Sequence, residues 1–487
     1  MGPPKRLFAK RFVVNVRTAA DAEAFRMGYL RGGAVLRART SGPVGDQGCP
    51  GGWYELTTGG FACSGRDVIA FDGNRLPEVQ SAQPDVSAPL PYAYGYCRRD
   101  NTPVYRNVPS NEEAARYEGF RIPGTANASA DAEQAAPHGE VRAASDAGTR
   151  PPTAAGARPD AGAPPAAVPT SPTEAAEAGE GQPETEDAGP PTLGTLMAGE
   201  DDHEILMRRM MRGFYVSLDR EFRVGPRRYW RTQQNEYVPH ASLGMVRGSD
   251  FQGIVLDAEH RLPVGWVVSR KGQAFTRRED GRLRGGRQPD YHNHFFIVGD
   301  EEIRGERYFR DVDGVLYRAR DVTRLDSRPR PDAVGEDEKW IDVDLDLQTL
   351  IAYEGDRPVF ATLVSTGRVR NPDIPERNHP TPTGEFRITS KHLAATMDGD
   401  NAIDGPYSIQ DVPWVMYFEL AYAFHAAFWH DRFGRPKSHG CVNMAPLDAR
   451  WLFQWTDPQV PEGWHGAYPT EERPGTRVFI RGETPRG

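Results

Sequence analysis

The stretch Ser438-His439-Gly440-Cys441-Val442-Asn443 places one thiol beside a glycine and two residues after a histidine, with His425 sixteen residues upstream of the thiol. A thiol attacks as its thiolate. With an ordinary pKa of about 8.5 it stays mostly protonated at neutral pH, so a basic neighbour is needed. Glycine before the nucleophile lets a substrate carbonyl come close to the backbone. It also leaves the successive N–H groups of Gly440 and Cys441 to hold an oxyanion. The pattern points to acyl transfer through a thioester.

Two other readings compete with this one. A lone cysteine is often a buried, inert core residue. Here, however, Cys441 is the only cysteine in the C-terminal 390 residues, and His425, His430 and His439 all lie within sixteen positions of it. A zinc site built from those four donors is the second alternative. Structural zinc sites normally pair two short-spaced knuckles, and only His425-x4-His430 has such spacing here. Catalysis is the preferred reading, with no metal and no cofactor.

The wider segment AFHAAFWHDRFGRPKSHGCVNM, from Ala423 to Met444, resembles the L,D-transpeptidase (YkuD) family of bacterial cell-wall enzymes. That family's pattern is a histidine, a spacer, then Ser/Thr-His-Gly-Cys-hydrophobic-Arg/Asn. HPTPTGEFRI (His379–Ile388) is similar to the family's Thr-Pro-x-Gly-x-Phe hairpin, VPWVMYF (Val412–Phe418) to the strand before the histidine, and APLDARWLFQWT (Ala445–Thr456) to the helix after the cysteine. The resemblance covers residues 339–482 and implies a mainly β catalytic domain, a YkuD-type β-sandwich with few helices. It implies that Cys441 is the nucleophile and His425 the general base, with Gly440 and Cys441 donating to the oxyanion. His439 and Ser438 shape the turn, and Asn443 braces it. A tyrosine hydroxyl often completes the oxyanion hole, with Tyr417 the nearest candidate and Tyr407 the next. Position 426 is alanine, whose backbone carbonyl can orient the imidazole of His425.

The residues support this independently. Ile351–Gly367 mixes β-branched and aromatic residues around a Gly355-Asp356 turn and predicts a hairpin. The alternation Phe418, Leu420, Tyr422, Phe424 predicts one strand that delivers His425 at its end. Pro446 suits a first helical turn, and Leu447, Trp451, Leu452 and Trp455 recur on one helical face, whose start near the thiol offers a dipole that favours thiolate. Trp429 and His430 fall in the loop between base and nucleophile, where they either contact substrate or pack. Arg368, Arg370 and Arg377 near the hairpin read as solvated surface arginines.

A chain of 487 residues is expected to hold roughly two to four domains. Its net charge of −9 resides in residues 131–200, with 12 acidic and 3 basic residues, so the remainder is neutral and offers no nucleic-acid footprint. Residues 126–205 form a disordered Ala/Pro/Glu-rich linker: 126–200 lack any aromatic residue and cannot bury enough apolar surface to offset chain entropy. Before it, residues 1–125 read as a small SH3-like β module. After it, residues 206–335 read as a second β region, either repeated SH3-like units or one larger domain. Cys49 and Cys63 flank a predicted hairpin and suit a disulfide, with Cys97 left over or competing; three reduced thiols fit as well.

The expected partners are peptidoglycan stem peptides, and the expected location is the cell envelope or periplasm, although residues 1–20 carry no apolar signal-peptide core and no membrane span is visible. An L,D-carboxypeptidase that trims tetrapeptide stems would share the same nucleophile and base. A wall-binding scaffold with an idle cysteine domain is the non-enzymatic alternative. Oligomeric state is not legible.

Overall fold

The computed structural model describes residues 4–71, 82–119, 205–370, 378–399 and 406–485. The linker expected over 126–205 lies outside them except for Ile205, as does Arg377. The described residues are mainly β, with two α-helices, Asn111–Glu118 and Pro446–Trp455. None of those helices is long and apolar enough to cross a membrane.

The catalytic segment is built on two layers. One sheet runs in the order Ile254–Val255, Arg357–Leu363, Thr349–Glu354, Lys339–Asp344, Arg477–Arg481, Gly384–Arg387. The hairpin predicted around Gly355 is present, with Thr349–Glu354 antiparallel to Arg357–Leu363. Gly355 has φ +57°, and a Cβ there would fall 1.7 Å from the Glu336 carbonyl oxygen, so only glycine fits the turn. The second layer pairs Ser390–Gly399 with Tyr407–Glu419, which returns as Tyr422–Ala426. Ile341, Val343, Leu350, Trp414, Met416, Phe424, Val442, Leu452 and Ile480 fill the space between the layers and the helix Pro446–Trp455. Pro446 opens that helix as predicted. Its C-terminal carbonyls at Phe453 and Thr456 accept from the buried ammonium of Lys391.

The predicted single strand through Phe418–Phe424 is instead two strands with a turn. Leu420 is 71 % exposed at φ +42°. Alternation survives a tight hairpin because both arms present apolar residues to one core, so the pattern alone conceals the reversal.

Strand pairing also cuts across the expected boundary at residue 125. The strands Arg6–Ala9 to Val68–Phe71 form one β module, tied by the Cys49–Cys63 disulfide; Cys97 is free and buried. Ala93–Cys97 and Thr102–Tyr105, by contrast, pair with Tyr215–Val224, Leu243–Val246 and Leu206–Met210. Strands on either side of residues 120–204 thus pair with one another. Strand partners so far apart in sequence leave no local signal. Residues 264–325 add a further pair of sheets.

One buried node joins three of these parts. Asp411, on the strand Tyr407–Glu419, takes both Arg31 guanidinium nitrogens of the first module at 2.6 and 3.2 Å. It also accepts from Ser217 of the second module, while its own carbonyl accepts from Tyr94 at 2.6 Å. Asp411 sits at φ +50°, a conformation that Asp and Asn tolerate better than most residues. Breaking one side of such a buried pair strands the other charge. Asp411→Asn is therefore expected to lower unfolding stability by about 3–5 kcal/mol, read from the denaturation midpoint. Adding Arg31→Met should cost less than the sum of the two single changes, because the stranded charge is then gone.

Candidate active site

Backbone pairing sets the strand of His425 beside the strand that follows Cys441. Tyr422–Ala426 and Val442–Met444 are parallel neighbours, with His425 opposite Asn443 and Phe424 opposite Val442. Cys441 immediately precedes the second strand. Its Sγ donates to the Ala421 carbonyl at 3.7 Å in the turn that leads into the strand of His425. His425 is 2 % exposed. Its Nδ1 faces the Ala426 carbonyl at 3.4 Å, so the neutral ring carries its proton on Nδ1 and keeps the Nε2 lone pair as the base. Alanine at position 426 serves through its backbone, as the resemblance implied.

The nucleophile turn is held by side chains. Ser438 Oγ donates to the Cys441 carbonyl and accepts from the Gly440 N–H at 3.1 Å. The Gly440 N–H, expected to hold an oxyanion together with that of Cys441, donates within the turn in this structure. Glycine is needed at 440 for another reason. Its φ is +111°, and a Cβ would lie 2.4 Å from the ring of Tyr422. Thr381, buried and overlooked in the sequence, accepts from the Gly367 N–H at 2.9 Å and donates to the Gly440 carbonyl at 2.7 Å. The signal was present in the Thr-Pro-x-Gly hairpin, but its reach to residue 440 is visible only in three dimensions.

The aromatic and cationic groups surround this core. Both tyrosine candidates face the thiol: burial and then the Cys441 sulfur raise Tyr417 to about 12 and raise Tyr407. His439 is exposed and stacks on Tyr407 at 5.3 Å and against His379 at 4.7 Å. Arg368 departs from its reading as a solvated arginine, since its guanidinium reaches His439 Nε2 at 3.3 Å. Lys437 is lowered by burial and then by Arg432, Arg368 and Arg370, which marks a cationic rim. Trp429 stacks on His425 at 5.7 Å.

His430 accepts from the Arg432 N–H at Nδ1, which leaves the proton on Nε2, 3.1 Å from the Asn443 side-chain nitrogen. Two donors would then face each other while Asn443 Oδ1 stays buried and unpaired. Turning the Asn443 amide over resolves both, with Oδ1 accepting from His430. Asn443 thus braces the loop through His430. The four donors of the zinc alternative are engaged with different partners, and among the described residues no group of three or more His, Cys, Asp or Glu could hold a metal.

Burial sets the resting protonation. It pushes the Cys441 thiol up to about 11 against a weaker opposing hydrogen bond from the Ala423 backbone, and it lowers His425 to about 4 against the Ala426 contact. Both shifts favour the neutral thiol and the neutral imidazole.

A raised thiol pKa makes the thiolate fraction grow tenfold per pH unit until that pKa is approached. Iodoacetamide labelling of Cys441, followed by mass spectrometry, is expected to accelerate about tenfold per unit from roughly pH 6 to 9 with no plateau. A plateau across neutral pH would indicate a thiolate–imidazolium pair instead. Thr381→Val, which leaves the Gly440 carbonyl and the Gly367 N–H unpaired, is expected to cost about 1–3 kcal/mol of stability. Thr381→Ser should recover most of it, both read from denaturation midpoints.

No curated protein matches the chain. Solved structures do. An Enterococcus faecium L,D-transpeptidase cysteine mutant is 25 % identical over 30 % of this chain and 50 % of its own, with a TM-score of 0.22. The NMR structure of the E. faecium catalytic domain is 26 % identical over 30 % of this chain and 98 % of its own, with a TM-score of 0.23. A Stackebrandtia nassauensis L,D-transpeptidase is 23 % identical over 32 % and 60 %, with a TM-score of 0.22. The chain spans about half the length of the first of these. Over residues 338–480, which hold every group of the thiol–imidazole centre, the chain matches the YkuD family, whose model is the L,D-transpeptidase catalytic domain.

Proposed function

We propose that this protein is a cysteine-dependent L,D-transpeptidase that forms peptidoglycan cross-links through a thioester acyl-enzyme. The observation that carries the reading is the parallel register that sets Cys441 two residues before Asn443, the partner of His425, whose Nδ1 faces the Ala426 carbonyl. The Cys441 proton passes to His425 Nε2 as sulfur attacks the carbonyl between the third and fourth residues of a tetrapeptide stem. The Cys441 N–H and the hydroxyl of Tyr417 or Tyr407 receive the developing oxyanion. The C–N bond then breaks, the imidazolium protonates the departing amine, and the thioester remains. An amine from a second stem loses its proton to the same imidazole, attacks the thioester and regenerates the thiol.

Other features support the assignment. The cationic rim of Arg368, Arg370, Arg432 and Lys437 suits a peptide that carries carboxylates. The Cys49–Cys63 disulfide suits an oxidising compartment and thus an envelope location. Ser438 serves in positioning the turn rather than in touching substrate.

A carbapenem tests the thiol directly, because opening its strained ring by sulfur adds the whole molecule. Intact-mass analysis is expected to show one adduct on the wild type and none on Cys441→Ala, with His425→Ala acylated about 10²–10⁴-fold more slowly. Incubation with a disaccharide tetrapeptide should yield a cross-linked dimer; a trimmed tripeptide alone would replace transfer by hydrolysis.

A further inference from the structure

Beside the catalytic loop lies a cleft of about 720 Å³ that is not made by the catalytic segment alone. Its walls are Tyr96, Arg98, Tyr215, Met245 and Arg247 of the second module, facing Trp429. The sheet register aligns them: Gly244 is opposite Tyr96, Tyr96 opposite Tyr215, and Tyr215 opposite Ile409 on the strand that runs on to Tyr417. Residues directly opposite on neighbouring strands share a face. The Tyr96 and Tyr215 rings accordingly lie 5.5 Å apart, Tyr215 lies 6.2 Å from Trp429, and Trp429 stacks on His425. An aromatic row thus runs from the cleft to the base.

The charge in this cleft is uncompensated. Asp431 at its edge is held by Arg270 at 3.1 Å. Arg98 and Arg247 are both exposed, and among the described residues neither guanidinium has an acidic partner. Arg98 lies flat across the sheet at Gly244, where any Cβ would come within 2.6 Å of its Nε. Two unpaired guanidiniums flanking aromatic faces fit a ligand with sugar rings and free carboxylates.

We infer that the second module supplies the binding site for the acyl acceptor, a disaccharide-peptide of peptidoglycan whose free carboxylate meets Arg98 and Arg247 while its sugars lie over Tyr96 and Tyr215. This rests on the reaction proposed above, which needs an acceptor amine brought to His425. The aromatic row leads there, whereas Tyr407, Tyr417 and His439 gather at the thiol itself.

The test is a binding titration that needs no turnover. Full-length Cys441→Ala protein is titrated calorimetrically with a disaccharide tripeptide whose carboxylates are either free or amidated. The free form is expected to bind about tenfold more tightly, a charge-assisted preference. That preference should vanish when Arg98→Ala and Arg247→Ala are added, while Tyr96→Ala should weaken both forms about tenfold through lost stacking. Equal affinity for the two forms, or a preference that survives the double arginine change, overturns the assignment. Acyl-enzyme formation is scored separately on Cys441, so a preference without acylation would retain the cleft and remove the reaction, and acylation without a preference would do the reverse.

Discussion

Everything at this site depends on the parallel pairing of two short strands, Tyr422–Ala426 and Val442–Met444. Main-chain hydrogen bonds, rather than side chains, set the strand that carries His425 beside the strand that follows Cys441. Side chains then refine the turn. Ser438 closes it from within and Thr381 ties it to the neighbouring segment at Gly367. Gly440 adopts a backbone angle that leaves room for Tyr422. Each of these contacts restricts the approach to the sulfur without supplying charge to it.

That restriction has an electrostatic consequence. A pocket dry enough to shelter a thioester also disfavours a resting ion pair, and here burial outweighs every nearby hydrogen bond at Cys441 and His425. Trp429 on the ring of His425 and the Nδ1 contact to Ala426 restrict the rotation of the imidazole.

The strand Tyr407–Glu419 has a second role. It borders the catalytic centre with Tyr407 and Tyr417, and it meets the second module through Ile409 and the first through Asp411. A buried carboxylate shared by Arg31 and Ser217 stabilises little compared with an apolar contact of the same size, but it penalises any displaced arrangement heavily. The modules are thereby held in register with the site.

Much of the centre was legible in the chain itself. The Ser-His-Gly-Cys run, the histidine upstream, the helix opening at Pro446 and the Gly355 hairpin are local patterns, and local patterns report residue chemistry and backbone preference. Four things were not legible. The reversal at Leu420 was masked by continuing alternation, the spent N–H of Gly440 by a hydroxyl two residues away, and the reach of Thr381 by a separation of fifty-nine residues. The pairing of strands across residues 120–204 was hidden for the same reason, since pairing between distant strands leaves no periodic trace. The sequence by itself determined which atoms could do chemistry and which segments could be strands. Only the tertiary structure decided their protonation, their partners and the module that borders them, because desolvation and long-range strand register are properties of the assembled fold.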